Sequence, residues 1–137
     1  LEACGGEQAD IITLAYGTND WCSRTREDLT TEIDKIKVIL SKSFKEAEKY
    51  IITPLWRTDM NTAPLCLDRP APCGDFSEMT EDIKKQFSGY AVIDGMSVFP
   101  HVKEFFSDKW LHPSDFGSVL LADNITAEII RNRRCLQ

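Results

Sequence analysis

The stretch Asp10-Ile-Ile-Thr-Leu-Ala-Tyr-Gly17-Thr-Asn19-Asp20 decides the fold. Asp10 to Ala15 is short, nearly continuously apolar and rich in β-branched side chains. That is the pattern of a strand buried on both faces of a parallel sheet. Gly17 ends it, and Gly17-Thr-Asn19-Asp20 reads as the turn beyond its C-terminal end. In open α/β sheets ligands bind beyond those ends, so this turn is a candidate site from the outset.

Working downstream, Leu29, Ile33, Ile36, Leu40, Phe44 and Ala47 recur at steps of four, three, four, four and three. These steps put them on one face of an amphipathic helix, with Thr25-x-x-Asp28 as its cap. Tyr50-Ile-Ile-Thr-Pro54 reads as a second strand stopped by its proline. Residues 55–75 read as a long loop, of the kind that often shapes a site. A second helix is expected from about Ser77 to Tyr90, with Met79, Ile83, Phe87 and Tyr90 on one face, and a third strand at Ala91–Asp94. Ser97 to Ser107 holds a helical turn and a loop, and the last helix runs from Asp115 to about Asn132. Strands alternating with helices imply a single α/β domain whose parallel sheet is covered on both faces.

The 137 residues suffice for one domain with its own core. A net charge of −6 argues against a nucleic-acid partner, which needs clustered Lys and Arg. The one basic cluster, Arg131-Asn-Arg-Arg134, closes the last helix and complements its dipole. No apolar run approaches the roughly 18–20 residues of a membrane span, and no signal peptide is visible. Leu1 in place of Met suggests that the natural chain begins upstream. The five cysteines, Cys4, Cys22, Cys66, Cys73 and Cys135, match no common zinc spacing. Cys66 and Cys73 flank a proline-rich loop and could close a small disulfide, but free thiols in a reducing cytoplasm are the favoured expectation.

The second candidate segment is Asp108-Lys-Trp-Leu-His112-Pro-Ser-Asp-Phe-Gly-Ser-Val-Leu120. His112 is one of two histidines and is suited to act as a general base. Such a base needs an acid to fix its orientation. Asp108 lies four residues upstream and can share a side of a turn with it. Asp115, at a helix start, reads as a cap. His101 has no acid close by in sequence and reads as structural. Among the aromatics near these motifs, Tyr16, Trp21, Trp56 and Trp110 could line a pocket or simply pack. Trp56-Arg57, just past the C-terminal end of the second strand, is the best placed to touch a substrate.

A Gly-x-Asn-Asp turn after a buried strand, followed late in the chain by an Asp/His loop, resembles the SGNH (GDSL-type) hydrolases. The resemblance covers nearly the whole chain. It implies a three-layer, flavodoxin-like α/β/α fold and hydrolysis of a small ester through an acyl-serine intermediate, with no metal or cofactor. On that resemblance His112 is the base, Asp108 its orienting acid and Asn19 an oxyanion donor, with Gly17 and Trp56 at the substrate. Two departures stand out. The family's acid usually lies three residues before the histidine, where this chain has Lys109, and an outward bulge at Trp110 would restore the register.

The second departure is the nucleophile, for no Gly-Asp-Ser block is present. Gly74-Asp75-Phe76-Ser77 has its serine one position late and leads a helix, where capping explains Asp75 and Ser77. Gly95-Met-Ser97 comes too late in chain order, and no Gly-x-Ser-x-Gly elbow exists. The family's serine and oxyanion-glycine blocks would need roughly 50–80 residues ahead of the first strand, where this chain has nine. The expectation is the C-terminal portion of such a hydrolase, inactive alone. Its open sheet edge would favour self-association or a partner segment supplying the missing strands. The alternatives are a non-catalytic binding module and a metal site built on His101, His112 and nearby aspartates.

Overall fold

The structure, a computed structural model, describes residues 9–60 and 74–135. Three strands, β1 (Ile11–Ala15), β2 (Glu48–Ile52) and β3 (Ala91–Ile93), form one sheet in the order β1-β2-β3. All pairings are parallel, with Thr13 opposite Tyr50 and Ile51 opposite Val92. Helix α1 (Arg26–Ser43) joins β1 to β2, and α2 (Phe76–Gln86) lies between β2 and β3. A short helix α3 (Gly95–Val98) and a 3-10 turn (Lys103–Phe105) lead to the long α4 (Asp115–Cys135).

Side chains alternate across the strands, so successive residues of β2 feed different layers. Ile51 packs with Leu29, Ile33 and Leu40 of α1 and Phe76, Met79 and Ile83 of α2. Tyr50 and Ile52 join Ile93 and Val98 on the opposite face, against Leu121, Ile125 and Ile129 of α4. Helices therefore flank the parallel sheet on both faces, as the sequence pattern predicts. At β1 the cover is one-sided. Ile12 and Leu14 pack on the α1–α2 core, while Ile11, Thr13 and Ala15 are exposed on the other face. β1 is also an edge strand among the described residues. Phe116, Val119 and Ile130 of α4 are large exposed apolar residues as well.

Several boundaries differ from expectation. The capping box forms, with Thr25 Oγ1 accepting from the Asp28 amide and the Asp28 carboxylate accepting from the Thr25 amide. The helix nevertheless stops at Ser43. Phe44 and Ala47 continue the apolar spacing but lie outside it. Glu48 must pair with Ile11 across the sheet, and its amide donates to Asp10 O at 2.9 Å, so the chain has to turn back first. For the same reason β2 begins at Glu48 rather than Tyr50. Helix α2 ends at Gln86, where the Phe87 amide donates to Ile83 O and closes it. Phe87 and Tyr90 stay in the core from the turn that follows. Asp75 holds the N-cap position of α2 without a side-chain cap bond. At α4 the cap is Ser114, whose Oγ accepts from the Gly117 amide at 3.2 Å. Asp115, expected as the cap, is instead the first helical residue and acts only through the helix dipole.

Candidate active site

The β1–α1 turn takes its shape from Gly17. Its φ is +104°, a left-handed value, and an added Cβ would overlap Ile83 Cδ1. Glycine is required there for both reasons. The turn closes with the Asp20 amide on Gly17 O at 3.0 Å. Asn19 sits at its exposed crest, and its carbonyl accepts from Ser23 Oγ. The exposed Asn19 side-chain amide makes no hydrogen bond among the described residues. Asp20 is half-buried, and burial pushes its carboxyl above the usual range against the pull of Arg24, 3.7 Å away.

The Asp108–His112 loop is more tightly specified. Asp108 Oδ1 accepts from the amides of Trp110 at 2.9 Å, Leu111 at 2.8 Å and His112 at 3.2 Å. Asp108 Oδ2 meets His112 Nδ1 at 2.7 Å. Burial acts to raise the Asp108 carboxyl, but the Leu111 and Trp110 amides and then His112 outweigh it and hold it well below the usual carboxylate range. An ionised carboxylate can only accept. The bond to His112 therefore places the proton on Nδ1 and leaves Nε2 of a neutral ring with its lone pair free. The His112 side chain is 73% exposed, and Nε2 has no partner among the described residues.

The four-residue spacing is accommodated differently from expectation. Trp110 does not bulge outward. It is half-buried against Arg57, ring to guanidinium 5.9 Å. The extra residue is absorbed at Lys109, the one non-glycine with positive φ (+70°) among the described residues. A left-handed residue shortens the path between Asp108 and His112, and its strain is tolerated because four hydrogen bonds to Asp108 hold the loop.

Trp56 lies past β2 as expected, but its ring is occupied. It stacks on His101 at 5.0 Å and 10° and tilts on Phe106 at 5.7 Å. His101 Nε2 lies 2.8 Å from Met96 O, which supports the structural reading of that histidine. No hydrogen bond joins Asn19 to Asp108 or His112 among the described residues. What connects their loops is Arg57, expected beside Trp56 at the substrate but found packed against Trp21 of the β1 turn and Trp110 of the histidine loop, a linking role that the sequence does not show. No periodicity marks Arg57-Thr-Asp59, and the one legible hint is a charged pair directly after a buried strand.

No group of three or more His, Cys, Asp or Glu that could hold a metal occurs among the described residues. No helix among them is long and apolar enough to cross a membrane. Cys22 is disulfide-bonded, which corrects the expectation of free thiols and removes the basis for a reducing compartment. The suggested Cys66–Cys73 pairing lies outside the described residues.

The class defined by this architecture is a mixed α/β domain with a parallel three-stranded sheet flanked by helices. No family model matches the chain, and no curated protein matches it. One solved crystal structure is similar over 95% of this chain and 68% of its own, with a TM-score of 0.71 and 17% identity. At that identity the likeness speaks for the fold alone.

Proposed function

We propose that this chain carries the acid–base half of an SGNH-type ester hydrolase site. The observation that carries the reading is the Asp108–His112 pair, 2.7 Å apart, on a loop that fixes the carboxylate with three amides and leaves Nε2 open. An acid that sets the tautomer and a base with a free nitrogen is the arrangement that activates a hydroxyl nucleophile. Asn19, exposed in the turn after β1 and with no side-chain amide hydrogen bond among the described residues, is suited to donate to the oxyanion.

In this mechanism a serine hydroxyl attacks the ester carbonyl and its proton passes to His112 Nε2. Asp108 stabilises the imidazolium through Nδ1–H. The tetrahedral oxyanion accepts from Asn19, the bond to the alcohol breaks, and His112 returns the proton to the departing oxygen. Water then repeats the sequence on the acyl-serine, regenerating the serine and releasing the acid. The substrate is a small acyl or carbohydrate acetyl ester.

The serine is not within these residues as a Gly-Asp-Ser block, so it comes from a segment or chain outside them. The exposed edge and outer face of β1, with Phe116, Val119 and Ile130 of α4, are compatible with added strands and a covering helix. A second reading, a non-catalytic binding module, is favoured by the same missing block. The two part on short-chain ester hydrolysis by the protein in its native assembly. The esterase reading expects activity that falls by about six orders of magnitude in His112→Ala and about four in Asp108→Asn. Folded assemblies with equal activity before and after these substitutions, or none at all, leave the binding module.

A further inference from the structure

Arg57 is a buried charge that the proposed chemistry does not use. It is 7% exposed and forms a fork on Asp59, with Nε–Oδ1 2.5 Å and Nη2–Oδ2 2.7 Å. Its guanidinium carbon lies 5.0 Å from the Trp21 ring centre, 5.5 Å from that of Phe76 and 5.9 Å from that of Trp110. Burying an ion pair is a poor way to stabilise a fold, since apolar side chains of the same volume do as well or better. A guanidinium fork adds direction, because its planar donors admit few orientations and its faces stack on aromatic rings.

That direction converges on Trp110. Its ring faces Arg57, its carbonyl accepts from the Thr58 amide at 3.2 Å, and its own amide donates to Asp108 Oδ1 at 2.9 Å. Thr58 Oγ1 adds a bond to Lys109 O at 3.3 Å. Trp21, whose ring also packs against the guanidinium, donates through Nε1 to Gly74 O at 2.9 Å and belongs to the turn that carries Asn19. One buried cation thus sits where the β1 turn, the segment after β2 and the histidine loop meet.

We propose that Arg57 is a positioning residue of the Asp108–His112 pair: locked by Asp59 and held between Trp21 and Trp110, it sets where the 108–112 loop presents His112 relative to the Asn19 turn. The functional meaning of this rests on the esterase reading, while the coupling itself does not.

The test is made on the 137-residue chain without substrate, by NMR. The readouts are the Asp108 carboxyl titration and hydrogen exchange at the Trp110 and Leu111 amides that bind it. Arg57→Met alone removes the guanidinium fork from the half-buried Asp59 carboxylate and could unfold the chain, so it is paired with Asp59→Leu. Trp110→Leu attacks the same contact from the other side. In both, the Asp108 midpoint is expected to rise toward the ordinary carboxylate range, with exchange at the two amides faster by about tenfold or more. Arg57→Lys, which keeps the charge but not the fork, is expected to resemble them. Ile93→Val, in the cluster on the opposite face of the sheet, is expected to lower stability without moving either readout. Unchanged titration and exchange in a folded Trp110→Leu, or in a folded Arg57→Met/Asp59→Leu, overturns the proposal. No ester enters the experiment, so a failed coupling leaves the hydrolase reading standing, and an inactive assembly leaves the coupling standing.

Discussion

Replacing Gly17 by alanine tests whether the Asn19 turn is shaped by packing from α2. Two separate penalties apply. The backbone sits at φ +104°, where an L side chain costs about 1–3 kcal/mol. The new methyl would also overlap Ile83 Cδ1, with Pro54 Cγ only 3.4 Å away. Overpacking of this kind costs about 1–3 kcal/mol. Ile83 is fully buried in the α1–α2 core, so moving its Cδ1 aside disturbs that packing. The expected loss is therefore about 2–6 kcal/mol in all, read as a lower midpoint with unchanged slope in urea unfolding followed by tryptophan fluorescence. Ile83→Val removes Cδ1, and alone it costs about 0.5–1.5 kcal/mol. Combined with Gly17→Ala it should recover the overpacking part but not the backbone part. A double-mutant cycle should then show favourable coupling of about 1–2 kcal/mol. Additive losses would refute the contact. A Gly17→Ala protein as stable as the parent would refute the turn's conformation altogether.

Other consequences can be checked separately. Lys109→Gly should stabilise the chain by about 0.5–1 kcal/mol in urea unfolding, because the left-handed strain at φ +70° disappears; a clear loss would mean the Lys109 side chain carries an interaction of its own. The Asp108 carboxyl is depressed in the fold, so its stabilising effect is present above the unfolded value of about 3.9 and is lost as pH falls through the lower folded value. Carbon-13 titration should therefore find Asp108 still ionised at pH 3 while exposed aspartates protonate, and a midpoint near that of the others would contradict the loop geometry. Reduction of the Cys22 disulfide should lower stability by about 2–5 kcal/mol, seen as a fall in Tm with a rise in titratable thiols; an unchanged Tm alongside the extra thiols would show that the bond adds nothing. Light scattering should show self-association of the isolated chain through the β1 edge, and a clean monomer at high concentration would count against an open edge.

The elements were legible because each has its own local signal. Ile11 to Ala15 is a continuous apolar run, and Leu29, Ile33, Ile36 and Leu40 hold one helical face. The ends were less legible, since helix and strand limits follow partners distant in sequence. Phe44 extends the apolar rhythm of α1, yet Glu48 is already pledged to Asp10 across the sheet. At the site, the pairing of Asp108 with His112 was legible from the family resemblance together with a spacing of four, which keeps both on one side of a turn. The left-handed turn at Lys109 was not, because it depends on three amides converging on one carboxylate oxygen. Arg57 was legible as a residue just past the second strand, but its partners were hidden for a related reason: Trp21, Phe76 and Trp110 come from three parts of the chain, and only folding brings them onto one guanidinium. The Cys22 disulfide was not legible because a cysteine count carries no geometry, and proximity in sequence points instead to Cys66 and Cys73.

The central claim is that His112, oriented by Asp108, activates a serine supplied from outside these residues. Fluorophosphonate labelling followed by intact-mass analysis tests it most directly. The isolated chain should give no adduct, while the native assembly should give one adduct on a serine outside the 137 residues, abolished by His112→Ala. An adduct on the isolated chain would place the nucleophile within it, and labelling of the assembly that survives His112→Ala, or no labelling at all, would contradict the claim.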